Sequence, residues 1–453
     1  MIARRNLFFL VLGGLLFLWG VVSNPFQVWA LSDQEILDRM EKLTQTIQNQ
    51  QKEIEGLKQQ LQQKMDISAA PRKEDIRAAV KEEVKDQVKD SLPEWTKRLW
   101  LSGDLRLRYE GLFNRIEYKQ VGSAYKQVNT VDRNRFRYRL RFVADGTVSE
   151  DLHAIFSIGS SSPLSGTTDN NATVSNYTFS NEFTQKPDYI LLAYAKYNPK
   201  WLPGLGLFGG KFKPPFIHTD IMFDPDTALE GFYETYKHGK FKPFQPFAGL
   251  GQFVVSEQST KADAMLYLYQ AGFEADFGPV KWTLAGSFYD YWGMASSRIG
   301  STTFGGGFGN SLTSAGTLKY DYRLLDFITY LDFRIGKCPL RFFGEYVQNI
   351  AKDVKEDTAY NLGFIFNKTV NPGDWELFFK YSMIKADAVV GAFADGDFYF
   401  ANRQGWKAMF TYRLLKHVDF RTSFFMTDTV TRSKEMPDGD PEQRLQVDFI
   451  LRW

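Results

Sequence analysis

Cysteine is almost absent from this chain. Of 453 residues only Cys338 is one, so no intrachain disulfide can form. No lipoprotein-type signal precedes it, which excludes a lipid anchor there. Histidine is scarce too. His153, His218, His238 and His417 are the four, and none lies beside a serine or cysteine in a nucleophile–base pattern. Net charge is close to nil, at +2, which excludes a general attraction to nucleic acid. Beyond residue 31 there is no long apolar run, which excludes a bundle of membrane-spanning helices. The glycine-rich stretch Phe304-Gly-Gly-Gly-Phe-Gly309 has no following helix to make it a phosphate cradle. Asp224-Pro-Asp226 is too short to be a metal motif. These absences give the expectation of no catalytic residue, no cofactor, no metal and no enzyme.

Aromatic rings, in contrast, are abundant. They make up 16% of the chain, with 40 Phe and 22 Tyr, yet mean hydropathy is −0.33. Strands that alternate lipid-facing and water-facing residues reconcile the two facts, and point to an antiparallel transmembrane β-barrel.

The chain divides into four expected segments. Residues 1–30 read as a secretory signal peptide: Arg4 and Arg5, an apolar run from Leu7 to Val22, and small residues before a cut after Ala30. Without Arg4 and Arg5, the basic and acidic residues of the mature chain are equal in number. Residues 31–70 read as a periplasmic coiled coil, with Met40, Ile47, Ile54 and Leu61 in one heptad row and Ile36, Leu43 and Leu57 in the other. Residues 71–97 read as a short charged helix and linker between Pro71 and the barrel. Residues 98–453 hold the barrel.

From Leu99 the period becomes two. Phe136, Tyr138, Leu140 and Phe142 alternate with Arg135, Arg137, Arg139 and Arg141. A soluble sandwich has no place for an arginine face, whereas a water-filled lumen has. The pattern predicts sixteen strands, from 99–110 to 443–453. Long and short connections alternate between them, as in outer-membrane barrels with long outer loops and short periplasmic turns. The last strand carries Leu445, Val447, Phe449, Leu451 and Trp453 on one face, the form of an assembly signal read by barrel-assembly machinery.

With Arg133-Asn-Arg-Phe-Arg-Tyr-Arg-Leu-Arg-Phe142, Val148-Ser-Glu-Asp-Leu152 and Leu207-Phe-Gly-Gly-Lys-Phe-Lys-Pro-Pro215 in hand, the chain resembles the "putative porin" family of Gram-negative bacteria. The resemblance extends over nearly the whole chain. It implies a periplasmic coiled coil joined to a sixteen-stranded barrel in the cell outer membrane. It also implies passive diffusion and a homotrimer surrounded by outer-membrane lipid.

Two readings of the site follow. Arg106, Arg108, Arg133, Arg135, Arg137, Arg139 and Arg141 form either an anion-attracting basic ladder or a wall of ion pairs. Asp220, Asp224, Asp226 and Glu230, in or beside the third long loop, are candidate constriction acids if that loop folds inward. Otherwise they belong to a solvated outer loop or a cation site. Functionally, a porin passing small hydrophilic solutes or ions is set against an envelope tether whose coiled coil contacts the cell wall.

Overall fold

A computed structural model describes residues 42, 44–46, 48–58, 94–114, 116–121, 124–129, 132–161, 175–179, 183, 185–239, 241, 243–257, 262–295, 307–398, 400–431 and 441–453. The expected signal peptide, the helix at 73–92 and the outer parts of the coiled coil lie outside them. Two units are compact by themselves, residues 1–97 and 98–453. In the first, the described residues from 42 to 58 are helical, with Ile54 and Leu57 exposed. Glu94–Lys97 forms one further turn.

The second unit is a barrel of sixteen strands: β1 (Leu99–Phe113), β2 (Arg133–Ser149), β3 (Leu152–Gly159), β4 (Tyr189–Tyr197), β5 (Leu205–Phe212), β6 (Leu229–Lys237), β7 (Phe244–Ser256), β8 (Ala264–Asp276), β9 (Lys281–Trp292), β10 (Arg323–Ile335), β11 (Cys338–Asn349), β12 (Thr358–Asn367), β13 (Trp375–Ile384), β14 (Arg403–Leu415), β15 (Val418–Thr429) and β16 (Glu442–Arg452). Each pairs antiparallel with the next in sequence. β1 closes the ring against β16. Closure pairs every strand edge, which a lipid environment demands. Gly103 and Trp453 exchange backbone hydrogen bonds of 3.2 Å at the seam.

The first outer loop adds a small hairpin of Ile116–Val121 and Ala124–Asn129, and Tyr177–Thr178 of the second lies against β2. Short turns such as 336–337 and 416–417 alternate with long loops around the ring.

Facing residues follow the alternation. On β1, Leu101 and Leu107 are exposed outward while Asp104, Arg106, Arg108 and Glu110 are buried inward. The lumen is not filled evenly. Phe212, Phe216, Ile221, Met222 and Phe223 pack with Tyr289, Tyr291, Leu324, Val389, Val390 and Phe398 into one apolar core. That core is made by the β5–β6 and β13–β14 loops, both folded inward against β6–β14. Entry of the first is permitted at Gly210 and Gly231, partners in register with φ of 122° and 154°. A Cβ at Gly231 would collide with the carbonyl oxygen of Gln252.

Candidate functional site

The seven predicted arginines lie on β1 and β2, adjacent strands, on their inward face. Their partners are specific. Arg139 donates to Asp104 at 2.6 and 3.1 Å, and Arg141 to the other oxygen of the same carboxylate at 2.6 Å. Arg108 holds Asp448 of β16 through two bonds of 2.7 and 2.8 Å. Arg135 donates to Glu110, with Arg137 Nη1 3.5 Å away. Arg106 donates to a neutral partner, Asn176, at 2.7 and 3.2 Å. Arg133 stands exposed at the loop end of β2. The ladder is therefore a partly compensated wall, and its acids come mostly from its own sheet face. Such pairing is what burial of fixed charge requires.

The two inward loops cross the lumen toward this wall. Phe223 stacks on Phe393, and the Asp224 amide donates to the Phe393 carbonyl at 2.7 Å. The Asp395 amide donates to the Asp220 carbonyl at 2.9 Å. The loop-edge carboxylates then meet the arginines. Asp226 lies 3.7 Å from both Arg139 and Arg141, and accepts a 2.5 Å bond from Ser175. Asp397 lies 3.3 Å from Arg108 and 2.6 Å from Arg444. Burial would raise the Asp226 carboxyl, but Arg139, Arg106 and Lys213 outweigh it and hold it at about 2. Asp397 is held low in the same way by Arg108 and Arg444. Burial brings the Lys213 ammonium down to about 8, against the pull of Asp226.

The four predicted acids separate. Asp226 alone faces the ladder. Asp220 is turned to the opposite side, where Lys380 and Lys407 bind it and hold its carboxyl at about 2 despite burial. Asp224 caps the loop, accepting from the amides of Asp226 at 2.7 Å and Gly396 at 3.2 Å, and burial beside Asp395 raises its carboxyl. Glu230 is not a constriction residue by position. It shares a face of β6 with exposed Phe232, opposite to buried Tyr233, so it points outward and pairs with Lys211 at 2.6 Å. Strand parity decides this: Glu230 lies three positions from the inward Tyr233, an odd step, which puts it on the other face.

Asp104, Glu110, Asp397, Arg444 and Asp448 are the site residues that the sequence reading missed. Parity could have supplied the strand members, because each alternates with the apolar outer face. The signal for Asp397 is the apolar stretch 388–394 just before it, unusual in an outer loop. The predicted terminal face, Leu445, Val447, Phe449, Leu451 and Trp453, is less buried than the alternating inward residues, with Phe449 and Trp453 exposed; the Trp453 ring lies 5.6 Å from that of Phe142.

Between wall and loops lies a cavity of about 920 Å³, lined on its inner side by Asp104, Arg139, Arg141, Ser157, Lys213 and Asp226. Phe223, Phe253, Leu266 and Phe393 line it as well, so charged and apolar groups share its surface. Among the described residues no group of three or more acidic, histidine or cysteine side chains is placed to hold a metal ion.

Several solved structures align with the barrel. OprB of Pseudomonas putida aligns with a TM-score of 0.50 at 9% identity, over 79% of this chain and 95% of that one. OmpF of Salmonella typhi, solved with daunomycin, aligns at 0.44 and 12%, over 78% and 97%. The outer-membrane channel DcaP of Acinetobacter baumannii aligns at 0.44 and 14%, also over 78% and 97%. No functionally curated protein matches the sequence. The family described as "Putative porin" matches residues 69–307 and 309–450. This chain belongs to the "Putative porin" family, whose channel-forming barrel its sixteen strands reproduce.

Proposed function

We propose that the barrel lets small hydrophilic solutes and ions diffuse passively across the outer membrane, with a preference for anions. One observation carries the preference: the charged lining of the cavity has Arg139, Arg141, Lys211, Lys213 and Arg452 against Asp104, Asp226, Glu230 and Glu257. A net cationic lining lowers the barrier for anions, and guanidinium groups fixed by neighbours stay charged throughout. The test is the reversal potential of the purified protein in a planar bilayer under a salt gradient. Wild type should favour the anion, and Arg139→Gln with Arg141→Gln should remove that preference. An unchanged reversal potential in the double variant would sink the ladder as a filter, and no current at all would sink the channel.

The envelope tether keeps one supporting observation. The helical residues up to 58 leave Ile54 and Leu57 exposed, the stripe that partner helices in a coiled coil would cover. On this reading the coiled coil lies in the periplasm and the two roles coexist in one protein.

A further inference from the structure

The stretch of wall that receives the inward β5–β6 loop holds more negative charge than its own cations balance. Asp326 on β10 and Glu345 on β11 are buried on the inward face, at 0% and 4% exposure. Leu324, Ile328, Phe343, Val347, Ala359 and Ile384 surround them on that face, all buried. The two carboxylates touch one another. Among the described residues no ion pair reaches either of them. The ammonium groups of Lys380 and Lys407 are held by Asp220 and Asp395. Four carboxylates therefore meet two ammonium groups, and the excess falls on Asp326 and Glu345.

Donors serve only one oxygen of each carboxylate. Asn361 Nδ2 donates to Glu345 Oε2 at 2.8 Å, and Thr219 of the inward loop donates to the same oxygen. Tyr289 donates to Asp326 Oδ2 at 3.4 Å. Asp326 Oδ1, Glu345 Oε1, Asn361 Oδ1 and Ser382 Oγ are buried with no hydrogen-bond partner. Strand register keeps their residues together. Glu345, Asn361 and Ser382 are successive partners across β11, β12 and β13. Asp326 is one diagonal step away, two residues along β10 from Ile328, the partner of Glu345. All four atoms are oxygens. Buried charge is costly unless paired or bound to a metal, and hard cations take oxygen ligands of this kind.

We propose that Asp326, Glu345, Asn361 and Ser382 bind a divalent cation of the calcium or magnesium class, which fastens the β5–β6 loop to the barrel wall. The two carboxylates match its charge. The amide and the hydroxyl add neutral oxygens, and water completes the shell. The link to the loop is direct, because Thr219 Oγ1 accepts from Asn361 at 2.7 Å and donates to Glu345. The inference depends on the inward loop and is indifferent to which ions the pore prefers.

The full-length protein, refolded in detergent without native lipid, gives the test. It is loaded with CaCl2 or MgCl2 and passed through a metal-free desalting column. Elemental analysis should find about one ion per chain. Asp326→Asn with Glu345→Gln should lose that ion while keeping its β content. Ser382→Ala, which removes one oxygen and no charge, should hold the ion more weakly, and it serves where the double variant does not fold. Amide hydrogen exchange at Thr219–Phe223 should be slower with the cation than with EDTA in wild type. In the double variant the two conditions should agree. A wild type that retains neither ion, its carboxylates settled by a shared proton or a water, overturns the proposal. So does an ion held equally by the folded double variant, or wild-type exchange that ignores the cation.

Discussion

At the scale of single residues, the lumen is governed by fixed charge pairs with one adjustable member. Asp226 and Asp397 are ionised across the working pH range, because the guanidinium groups around them hold their carboxyls down. Lys213 is different, since burial brings its ammonium to about 8. It is charged below that value and neutral above it. The proposed anion preference should therefore fall as pH rises from 7 to 9, and Lys213→Met should give a pH-independent reversal potential at the lower value. A wild-type reversal potential flat across that range would remove Lys213 from the passage. The core position Phe223 makes a packing prediction. It is buried among Phe216, Tyr289 and Phe393, so Phe223→Ala should cost about 3–5 kcal/mol of packing at the loop junction. The readout is current noise and raised conductance, with β content unchanged.

At the scale of elements, strands and loops differ in how far sequence reveals them. Most barrel strands follow from period-two alternation, because a wall between lipid and water forces opposite chemistry on successive residues; β4 to β6, with Ala and Leu on β4 and outward Lys211 and Glu230, carry it weakly. The arginine wall was legible for the same reason, and so was its ambiguity between ladder and ion-pair network. Its own acids, Asp104 and Glu110, alternate in step with Arg106 and Arg108. The inward loops were only half legible. Asp220 and Asp226 lie in one loop yet face opposite sides of the lumen, and no periodic rule governs irregular backbone. The β13–β14 loop carries its message in composition. Asn310 from the β9–β10 loop clasps it, donating to the carbonyls of Ala386 and Val389 at 2.7 Å each and accepting from the Gly391 amide at 2.9 Å. That clasp joins segments some 80 residues apart and has no local sequence signature. Replacing residues 389–397 by a short Gly-Ser link should raise single-channel conductance, because it withdraws both Phe393 and Asp397 from the lumen. Conductance equal to wild type would show that this loop does not bound the passage.

At the scale of the whole molecule, the barrel unit holds itself together by ring closure and does not call on the helical residues for strand pairing. Deleting residues 32–92 should therefore leave β content and conductance intact while loosening the envelope, if those residues tether it. Loss of conductance on deletion would tie the helix to the channel itself. An intact envelope would argue against the tether.

The uneven filling of the lumen gives the protein two kinds of cohesion inside one wall. The strands are joined by a closed ladder of backbone hydrogen bonds that has no free edge from which to fray. The loops are held as a soluble protein's interior is held, by apolar rings such as Phe216, Phe223 and Phe398 shut away from water. Forces of the second kind yield to denaturant and temperature well before a continuous ring of paired strands does. Warmed or placed in mild urea, this channel should widen in a cooperative step while its wall stays whole, with the current as a thermometer of its interior.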